Sequence, residues 1–414
     1  MSLITDTDAL AALCARLADS KYVTVDTEFI REKTYWPRLC LIQVAGESEA
    51  ACIDPLAEGI DLEPFFALMR NAAVLKVFHA ARQDLEILMK LMGELPTPLF
   101  DTQIAAMVCG FGESVGYETL ATKLANAHID KSTRFTDWSK RPLTDRQVVY
   151  ALSDVIPLRK VYRKLASVLT RTGRSEWLDE EMKILTDPAT YVAEPREMFR
   201  RLKSRTKNPR FLAVLRELAA WRELEAQRRD LPRQRVIRDE ALLEIAASAP
   251  TSLAALADTR QLPKSMTEGP TAEAIVEAVE TGLALPVGEL PDLPAHKDHP
   301  PGLAPVVDLL RVLLKTKCDA HGVASKIVAT TEELEDLAAD DDAPVRAQIG
   351  WRRILFGEDA LRLKHGHIAL AISPDNGRIE LIPVEDDSEG QPIGEAADVT
   401  SGNTAELIAD TDAA

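Results

Sequence analysis

Two carboxylates stand at the end of an apolar, β-branched run near the start of the chain, in the segment YVTVDTEFI (22–30). Because side chains alternate along a strand, Asp26 and Glu28 project from one face, while Val23 and Val25 project from the other. Two adjacent anions repel each other, so one of them takes up a proton unless a cation compensates. Carboxylate oxygens suit Mg²⁺, and the pair therefore points to a divalent metal site.

A third carboxylate, Asp84, lies in VLKVFHAARQDLEILMKLM (74–92), where a buried strand is followed by a helix. The apolar stripe of this helix includes Leu85 and Leu88, and Asp84 falls at its edge. The alternative interpretation is a solvated first-turn acid that complements the helix dipole. Asp84 by itself does not decide between these readings.

The segment LTDRQVVYALSDVIPLRKVY (143–162) predicts an amphipathic helix that Pro157 should kink or end. Tyr150 and Asp154 are four residues apart and share one face of it. Taken together, the three segments would let four carboxylates converge on two divalent ions.

The elements that must position these groups alternate between strand and helix, which predicts an α/β domain over residues 1–200. The predicted strands are Tyr22–Asp26, Cys40–Val44, Ala50–Ile53 and Val74–Phe78, and the predicted helices lie near 6–19, 82–92, 101–109 and 144–168.

After about residue 200 the strand pattern ends, and short amphipathic helices predict a helical domain over 205–286. A proline-rich stretch, 287–302, is interpreted as a linker to a third unit over 303–385. RVIRDEALLEIA (235–246) aligns with KIVATTEELEDLA (326–338), so the third unit is interpreted as a diverged copy of the second. HIALAISPDNGRIELIPVE (367–385) has the pattern of a β-hairpin, and residues 386–414 are expected to form an acidic disordered tail.

Composition limits the function classes further. A net charge of −17 over 414 residues argues against a protein that coats nucleic acid nonspecifically, although basic clusters at 196–210 and 225–238 keep nucleic acid as a local partner. The five scattered cysteines form no C-x-x-C pair, so we expect buried thiols rather than disulfides or zinc ligands. The absence of a signal peptide, of a long apolar run and of a P-loop predicts a cytoplasmic protein that uses neither a membrane nor ATP.

Five segments resemble the ribonuclease D family, which belongs to the tyrosine-containing branch of the DEDD exonuclease superfamily. They are VDTEFIREKTYWPRLCLIQVA (25–45), FHAARQDLEIL (78–88), DTQIAA (101–106), GYETLA (116–121) and DWSKRPLTDRQVVYALSDV (137–155). The two helical units resemble HRDC domains, the second much more loosely. The resemblance implies an RNase H-like α/β exonuclease domain followed by two all-α HRDC-type domains.

The same resemblance implies hydrolytic 3′-to-5′ removal of nucleotides from RNA, with release of nucleoside 5′-monophosphates and with two divalent ions, Mg²⁺ or Mn²⁺. Its catalytic set falls on Asp26, Glu28, Asp84, Tyr150 and Asp154. Asp26 would bridge the two ions, Glu28 and Asp154 would complete the first site, and Asp84 would support the second. Tyr150 would orient the attacking water.

The implied substrate contacts are Thr27 and Phe29, which would border the terminal nucleotide, with Gln43, His79 and Trp138 as further motif residues. For the last three, buried structural packing is the open alternative. The expected partner is RNA with a free 3′ end, such as a transfer-RNA precursor, and the expected state is a monomer.

Two other functions remain open from the sequence. A DNA 3′-5′ exonuclease of proofreading or Werner type would use the same carboxylates. A noncatalytic nucleic-acid scaffold would be expected to lack at least one of them, and this chain has all four.

Overall fold

The strand-rich first part of the chain forms a six-stranded sheet in a computed structural model that describes residues 2–133, 136–204, 206, 208–260, 262–291 and 302–384. Its strands are β1 (Ser2–Ile4), β2 (Tyr22–Ile30), β3 (Arg38–Ala45), β4 (Ala50–Ile53), β5 (Leu75–Phe78) and β6 (Leu99–Asp101), in the order β1-β4-β3-β2-β5-β6. The four predicted strands are confirmed. The two edge strands, three residues each, were not predicted because so short a run carries no readable periodicity.

Helices cover both faces of this sheet. They are α1 (Thr7–Leu17), α2 (Glu63–Arg70), α3 (Arg82–Met92), α4 (Thr102–Val108), α5 (Tyr117–Leu120), α6 (Asp145–Val155), α7 (Leu158–Arg171) and α8 (Ser175–Leu185). On one face, Val23 and Val25 belong to the main core. On the other, Leu41 and Cys52 pack beneath Leu152 of α6. The predicted α/β architecture is confirmed.

Helix α6 begins and ends where its sequence predicts. Thr144 and Gln147 form a reciprocal capping box at its start, which satisfies backbone donors that a helix N-terminus leaves open. The helix ends at Val155, and Pro157 precedes the next helix, so the predicted interruption is confirmed. The hydroxyl of Thr24 on β2 donates to the carbonyl of Val155 at 2.8 Å, which ties the end of α6 to the central strand.

The second unit is helical, as predicted. Its helices are α9 (Pro209–Arg229), α10 (Arg233–Val236), α11 (Asp239–Ser248), α12 (Leu253–Ala257) and α13 (Gly269–Ala284). It meets the first domain at Tyr35, whose ring belongs to the core of the second unit and whose hydroxyl donates to Glu223. Asp230 accepts from the backbone amide of Trp36 at 3.0 Å. The segment between β2 and β3 therefore docks the helical unit.

The third unit contains five α-helices in its described part, followed by two strands. They are α14 (Ala304–His321), α15 (Ser325–Val328), α16 (Thr331–Ala339), α17 (Gly350–Arg352), α18 (Glu358–Lys364), β7 (Ile368–Ile372) and β8 (Ile379–Pro383). The hairpin expected at 367–385 is confirmed, and the expectation of an all-α third domain is wrong. The strands form because alternating apolar residues, including Leu370 and Leu381, pack against the core.

The third unit packs on the first domain. Trp351 stacks on Trp177 of α8 with ring centroids 4.2 Å apart and planes 7° apart. Arg352, 3% exposed, pairs with Glu180 at 2.7 Å and also with Glu181. Residues of both units form one continuous apolar core. The third unit thus stabilises the nuclease domain directly.

The aligned segments of the second and third units share a local order of elements. In each, a four-residue helix (α10, α15) is followed by a longer one (α11, α16). Most of the predicted linker and the whole predicted tail lie outside the described residues. All five cysteines are buried and free, as expected. None of the described helices is both long and apolar enough to cross a bilayer.

Candidate active site

The central strand β2 carries the first two carboxylates to the edge of the sheet. It pairs with β3 in antiparallel fashion and with β5 in parallel fashion, so the carboxyl ends of β2 and β5 lie at one edge. The β2–β3 register shifts between Glu28 and Phe29, a bulge that re-aims the strand just beyond the acidic pair. Strand β5 leads through His79 into α3, which carries Asp84.

Three carboxylates converge at this edge. One oxygen each from Asp26, Glu28 and Asp154 lies within 4.8 Å of the other two. Asp26 and Glu28 meet Asp154 because α6 packs across β2 and β3 and is tied to β2 through Thr24. The predicted sharing of one strand face, and the predicted approach of α6, are both present in the fold.

Asp84 lies beside this cluster and is not a member of it among the described residues. Its side chain is 6% exposed, and its Oδ1 accepts a hydrogen bond from the hydroxyl of Thr27. The alternative of a solvated first-turn acid is therefore excluded by burial. Thr27 projects to the opposite side of β2 from Asp26 and Glu28. Strand β2 therefore carries two of the acids and binds the third, Asp84, through Thr27.

The electrostatics of the site favour a bound cation. Burial, followed by the charge of Asp154, raises the pKa of Asp26 well above its ordinary value. Burial, followed by the charge of Asp26, likewise raises the pKa of Asp84, although the hydrogen bond from Thr27 opposes the shift. Carboxylates that repel one another in this way bind either protons or a metal ion.

Tyr150 precedes Asp154 by one turn of α6 and lines the same cleft. Its ring lies 6.1 Å from the ring of Trp138, with the planes tilted by 31°. Trp138 is 2% exposed, so it forms a rigid support for Tyr150. The tyrosine is thereby held at the cleft wall with its ring fixed by packing.

The cleft over the carboxylates has a volume of about 490 Å³ and is lined by the three clustered acids with Thr27, His79 and Tyr117. His79 Nδ1 lies 3.0 Å from the Thr102 hydroxyl oxygen, and its burial lowers the pKa of the imidazole. The Tyr117 hydroxyl donates to the carbonyl of Ser153 at 3.0 Å. Burial, followed by the charges of Asp154 and Asp26, raises the pKa of the Tyr117 phenol.

Two positioning residues were missed from the sequence, although both lie in segments that carry the family resemblance. Asp101 is 2% exposed and accepts from the backbone amides of Ala80, at 3.1 Å, and Ala81, at 2.8 Å. Ala80 has a φ of +58°, an unfavourable conformation for a residue with a side chain, and these bonds hold it there. Asp101 thus sets the turn that leads to Asp84, while Tyr117 holds the backbone next to Asp154.

Two of the predicted substrate contacts are corrected. Gln43 is 0% exposed and Trp138 is 2% exposed, so neither side chain has a surface with which to touch RNA. Both lie beneath α6: Trp138 belongs to an apolar cluster there, and Gln43 is opposite Asp26 and Cys52 in the sheet. Phe29 is partly buried against the main core, whereas Thr27 and His79 line the cleft.

The donor set fits a divalent ion. Clustered carboxylate oxygens are the ligands that Mg²⁺ and Mn²⁺ prefer, and a cation would offset the repulsion that raises the pKa of Asp26. The side chains of Asp26, Glu28 and Asp154 lie close enough together to share one ion. Asp84 lies beside them and is hydrogen-bonded to Thr27 of the same strand.

Family models match the first two units of this architecture. Residues 1–170 match a 3′-5′ exonuclease model, and residues 211–279 match the HRDC domain model. The exonuclease match contains every proposed catalytic residue.

Full-length relatives extend the similarity to most of the chain. Ribonuclease D from Nitrobacter hamburgensis is 52% identical over 92% of this chain and 98% of its own length. Ribonuclease D from Jannaschia sp. is 51% identical over 89% of this chain and 96% of its own length. The crystal structure of Escherichia coli RNase D, described as an exoribonuclease involved in structured RNA processing, is 31% identical and superposes with a TM-score of 0.76, covering 88% of this chain and 99% of that one.

Proposed function

Because this chain belongs to the ribonuclease D family of 3′-5′ exoribonucleases, we propose that it hydrolyses RNA by a two-metal-ion mechanism and releases nucleoside 5′-monophosphates. We further propose that it acts in the cytoplasm, as a monomer, on the 3′ ends of transfer-RNA precursors and other stable RNAs. The retained carboxylates and their convergence count against a noncatalytic scaffold.

The carboxylates would hold the ions in a defined arrangement. Asp26, at the centre of the site, would contact both ions, Glu28 and Asp154 would complete the first position, and Asp84 would support the second. The clustering of the first three and the burial of Asp84 beside Thr27 support this division. Bound ions of this kind supply Lewis acidity at the phosphate, favouring both the attacking water and the leaving 3′-oxygen.

Tyr150 would orient the attacking water with its hydroxyl. An unperturbed phenol has a pKa of about 10 and is a weak base at neutral pH, so positioning is its main proposed contribution. Its ring is held against Trp138, which is itself buried. This packing would limit the positions that the hydroxyl can take.

The cleft would accept the terminal nucleotide of a single strand. A volume of about 490 Å³ lies within the range of roughly 300–1,000 Å³ that is typical of small-ligand sites. Thr27 and His79 would border the nucleotide, and Phe29 stands one residue beyond the acidic pair. Tyr117 adds an aromatic wall that the sequence did not indicate, with its ring 5.5 Å from that of His79.

The second unit, which is the first of the two helical units, would hold the RNA upstream of the RNA 3′ end. A second cleft of about 370 Å³ lies on the seam between this unit and the nuclease domain, and Arg31, Arg201 and Arg233 line it. Arg31 stands three residues after Glu28, which corresponds to roughly 10 Å of extended chain. Arg31 pairs with Glu86 and Arg233 pairs with Glu223, so the phosphates of the nucleotides that precede the terminus would compete with these carboxylates for the guanidinium groups.

We propose that the third unit is a second, diverged HRDC-like domain whose role is to support the nuclease domain. Two arginines of this unit, Arg346 and Arg352, are engaged in ion pairs with Glu333, Glu180 and Glu181. The exposed acidic residues of this unit further weaken the case for RNA binding there. Packing against α8 supports the structural role.

The observation that carries the proposed function is the convergence of Asp26, Glu28 and Asp154 beside Tyr150. It is tested by digestion of a 3′-extended transfer RNA, labelled at the 5′ end or the 3′ end, with Mg²⁺, with Mn²⁺ and with chelator. Stepwise shortening from the 3′ end, with release of mononucleotides and a strict metal requirement, is expected. The variant Asp26→Asn is expected to fold and to lose trimming.

Three results of this experiment would overturn the proposal. Trimming that persists in chelator would remove the metal mechanism, and undiminished trimming by Asp26→Asn would refute the site. Faster digestion of a matched DNA oligonucleotide would favour the DNA exonuclease alternative, since the same carboxylates would serve either backbone.

A further inference from the structure

Gln43 is a buried polar residue that no packing requirement explains. It lies in the middle of β3, its side chain is 0% exposed, and neither its Oε1 nor its Nε2 has a hydrogen-bond partner among the described residues. A buried amide without a partner destabilises the fold, because it has left water without compensation. An apolar side chain of similar size would avoid that cost.

The register of the sheet places Gln43 beside the site. Gln43 is directly opposite Asp26 in the β2–β3 ladder and opposite Cys52 in the β3–β4 ladder. Side chains of residues that face each other in an antiparallel pair lie on the same side of the sheet, with Cβ atoms about 4.5–5.5 Å apart. The amide therefore shares a sheet face with the carboxylate of Asp26, beneath α6.

Among the described residues that face the amide directly, none other offers a comparable acceptor, and Glu28, which shares this sheet face, is opposite Leu41 rather than Gln43. Leu41 and Ala45 flank it along β3, and Leu152 and Val155 of α6 cover the same face. The thiol of Cys52 is at best a weak hydrogen-bonding group. Among the described neighbours on this face, the carboxylate of Asp26 is the strong acceptor nearest in register.

We propose that Gln43 is a positioning residue, whose amide donates to the carboxylate of Asp26 when the metal site is loaded and fixes the orientation of that ligand. A carboxylate that directs oxygens toward a cation keeps further lone pairs, and these are ordinarily bound by a donor behind it. Gln43 provides that donor from the protein interior. This inference rests on the proposed function, since it assigns Asp26 as a metal ligand.

The inference predicts a separation of stability from function in Gln43→Leu. The metal-free variant should unfold at the same or a higher denaturant midpoint, because a partnerless amide has been replaced by an apolar group. Its affinity for Mn²⁺ should fall by roughly 10- to 100-fold, the range seen when a group supporting a ligand is lost. Its kcat should fall while KM for RNA stays unchanged, since Gln43 does not touch the substrate.

The experiment titrates the full-length protein with Mn²⁺ by calorimetry, measures urea unfolding without metal, and measures kcat and KM on a single-stranded RNA. Gln43→Met, which matches the shape of glutamine, is a second variant in case the branched leucine does not fit. Gln147→Leu is the matched control, because that amide is also buried but forms the capping box of α6. Gln147→Leu should lose metal-free stability, unlike either change at position 43.

Several outcomes would overturn the inference while leaving the proposed function intact. If the wild-type protein binds Mn²⁺ and both Gln43 variants keep its Mn²⁺ affinity and its kcat, the amide does not support Asp26. A raised KM with unchanged kcat would show that Gln43 contacts RNA. Failure of the wild-type protein to bind Mn²⁺ or to trim RNA would instead refute the proposed function itself.

Discussion

The hydroxyl of Thr27 donates to Oδ1 of Asp84, joining the central strand β2 to the first turn of α3. Asp84 is buried, and this bond connects it to the strand that carries Asp26 and Glu28. The residue between the two acids is therefore part of the carboxylate arrangement. Its side chain faces Asp84, while Asp26 and Glu28 on either side of it cluster with Asp154.

Removal of the Thr27 hydroxyl should loosen Asp84. Thr27→Val keeps the branched shape but leaves the carboxylate without this donor, so we expect kcat to fall by roughly tenfold or more, as is typical when a group that supports a metal ligand is lost. Thr27→Ser retains the hydroxyl and should retain most of the activity. Steady-state trimming of a labelled RNA checks both. Equal activity of the valine and serine variants would contradict the role of the bond.

Tyr150→Phe tests positioning of the attacking water. The ring packing on Trp138 is preserved, so the variant should still fold. We expect kcat to fall by about 10²-fold or more, within the range for a positioned proton-transfer group. The measurement is single-turnover hydrolysis at saturating metal. A loss smaller than threefold would assign the water to another residue.

Tyr35→Phe tests whether docking of the first helical unit governs long substrates. The Tyr35 hydroxyl donates to Glu223 and accepts from Arg233 at 3.0 Å and from Gln227 at 3.1 Å. Removal of the hydroxyl takes one hydrogen-bond donor from the carboxylate of Glu223, which is 1% exposed. This loss should lower the free energy of unfolding by about 1–3 kcal/mol. We expect faster hydrogen exchange in α9 and a higher KM for long RNA, with dinucleotide hydrolysis unchanged.

The control for this variant is Tyr191→Phe. The Tyr191 hydroxyl donates to the carbonyl of Leu185 at 2.7 Å, within the nuclease half of the chain. The Tyr191→Phe change removes one tyrosine hydroxyl but leaves the contact between the nuclease domain and the second unit intact. KM for long RNA should therefore stay at the wild-type value. Parallel changes in both variants would show that the effect does not come from docking.

The stability of the third unit should depend on acid pH through Glu333. Burial opposes ionisation, but hydrogen bonds from Arg346 and from the backbone of Thr330 lower the pKa of Glu333 from 4.5 to about 2. A carboxylate whose pKa is lower in the folded than in the unfolded state stabilises the fold at pH values above its unfolded-state pKa. This stabilisation is lost as the pH falls from about 4.5 toward 2. Solvent screens the ion pair because Arg346 is 35% exposed, so we expect this contribution to the free energy of unfolding to be roughly 1–2 kcal/mol.

Urea unfolding of Glu333→Gln and of the wild type at pH 7 and pH 3 checks this dependence. The variant should be less stable at pH 7, and the difference should shrink at pH 3. The exposed neighbour Glu332, changed to glutamine, should leave the pH profile as it is. A constant difference between variant and wild type at both pH values would exclude Glu333 as the titrating group.

Local periodicity alone determined much of the site. The two-residue spacing of Asp26 and Glu28 placed both on one strand face, the four-residue spacing of Tyr150 and Asp154 placed both on one helix face, and Pro157 ended that helix where expected. Turn residues likewise indicated the hairpin of β7 and β8. These features depend on contacts within a few residues, which the order of residue types specifies directly.

Only the tertiary structure decided which polar residues are buried and what they contact. Asp84 could be a solvated first-turn acid until α3 packs it against Thr27, 57 residues away along the chain. Gln43 could touch RNA until α6 covers it, and Tyr35 could be a surface aromatic until Glu223, 188 residues distant, accepts its hydroxyl. Such contacts join segments that share no local periodicity. They form because burying apolar faces brings those segments together, and the partner of each buried polar group follows from that packing.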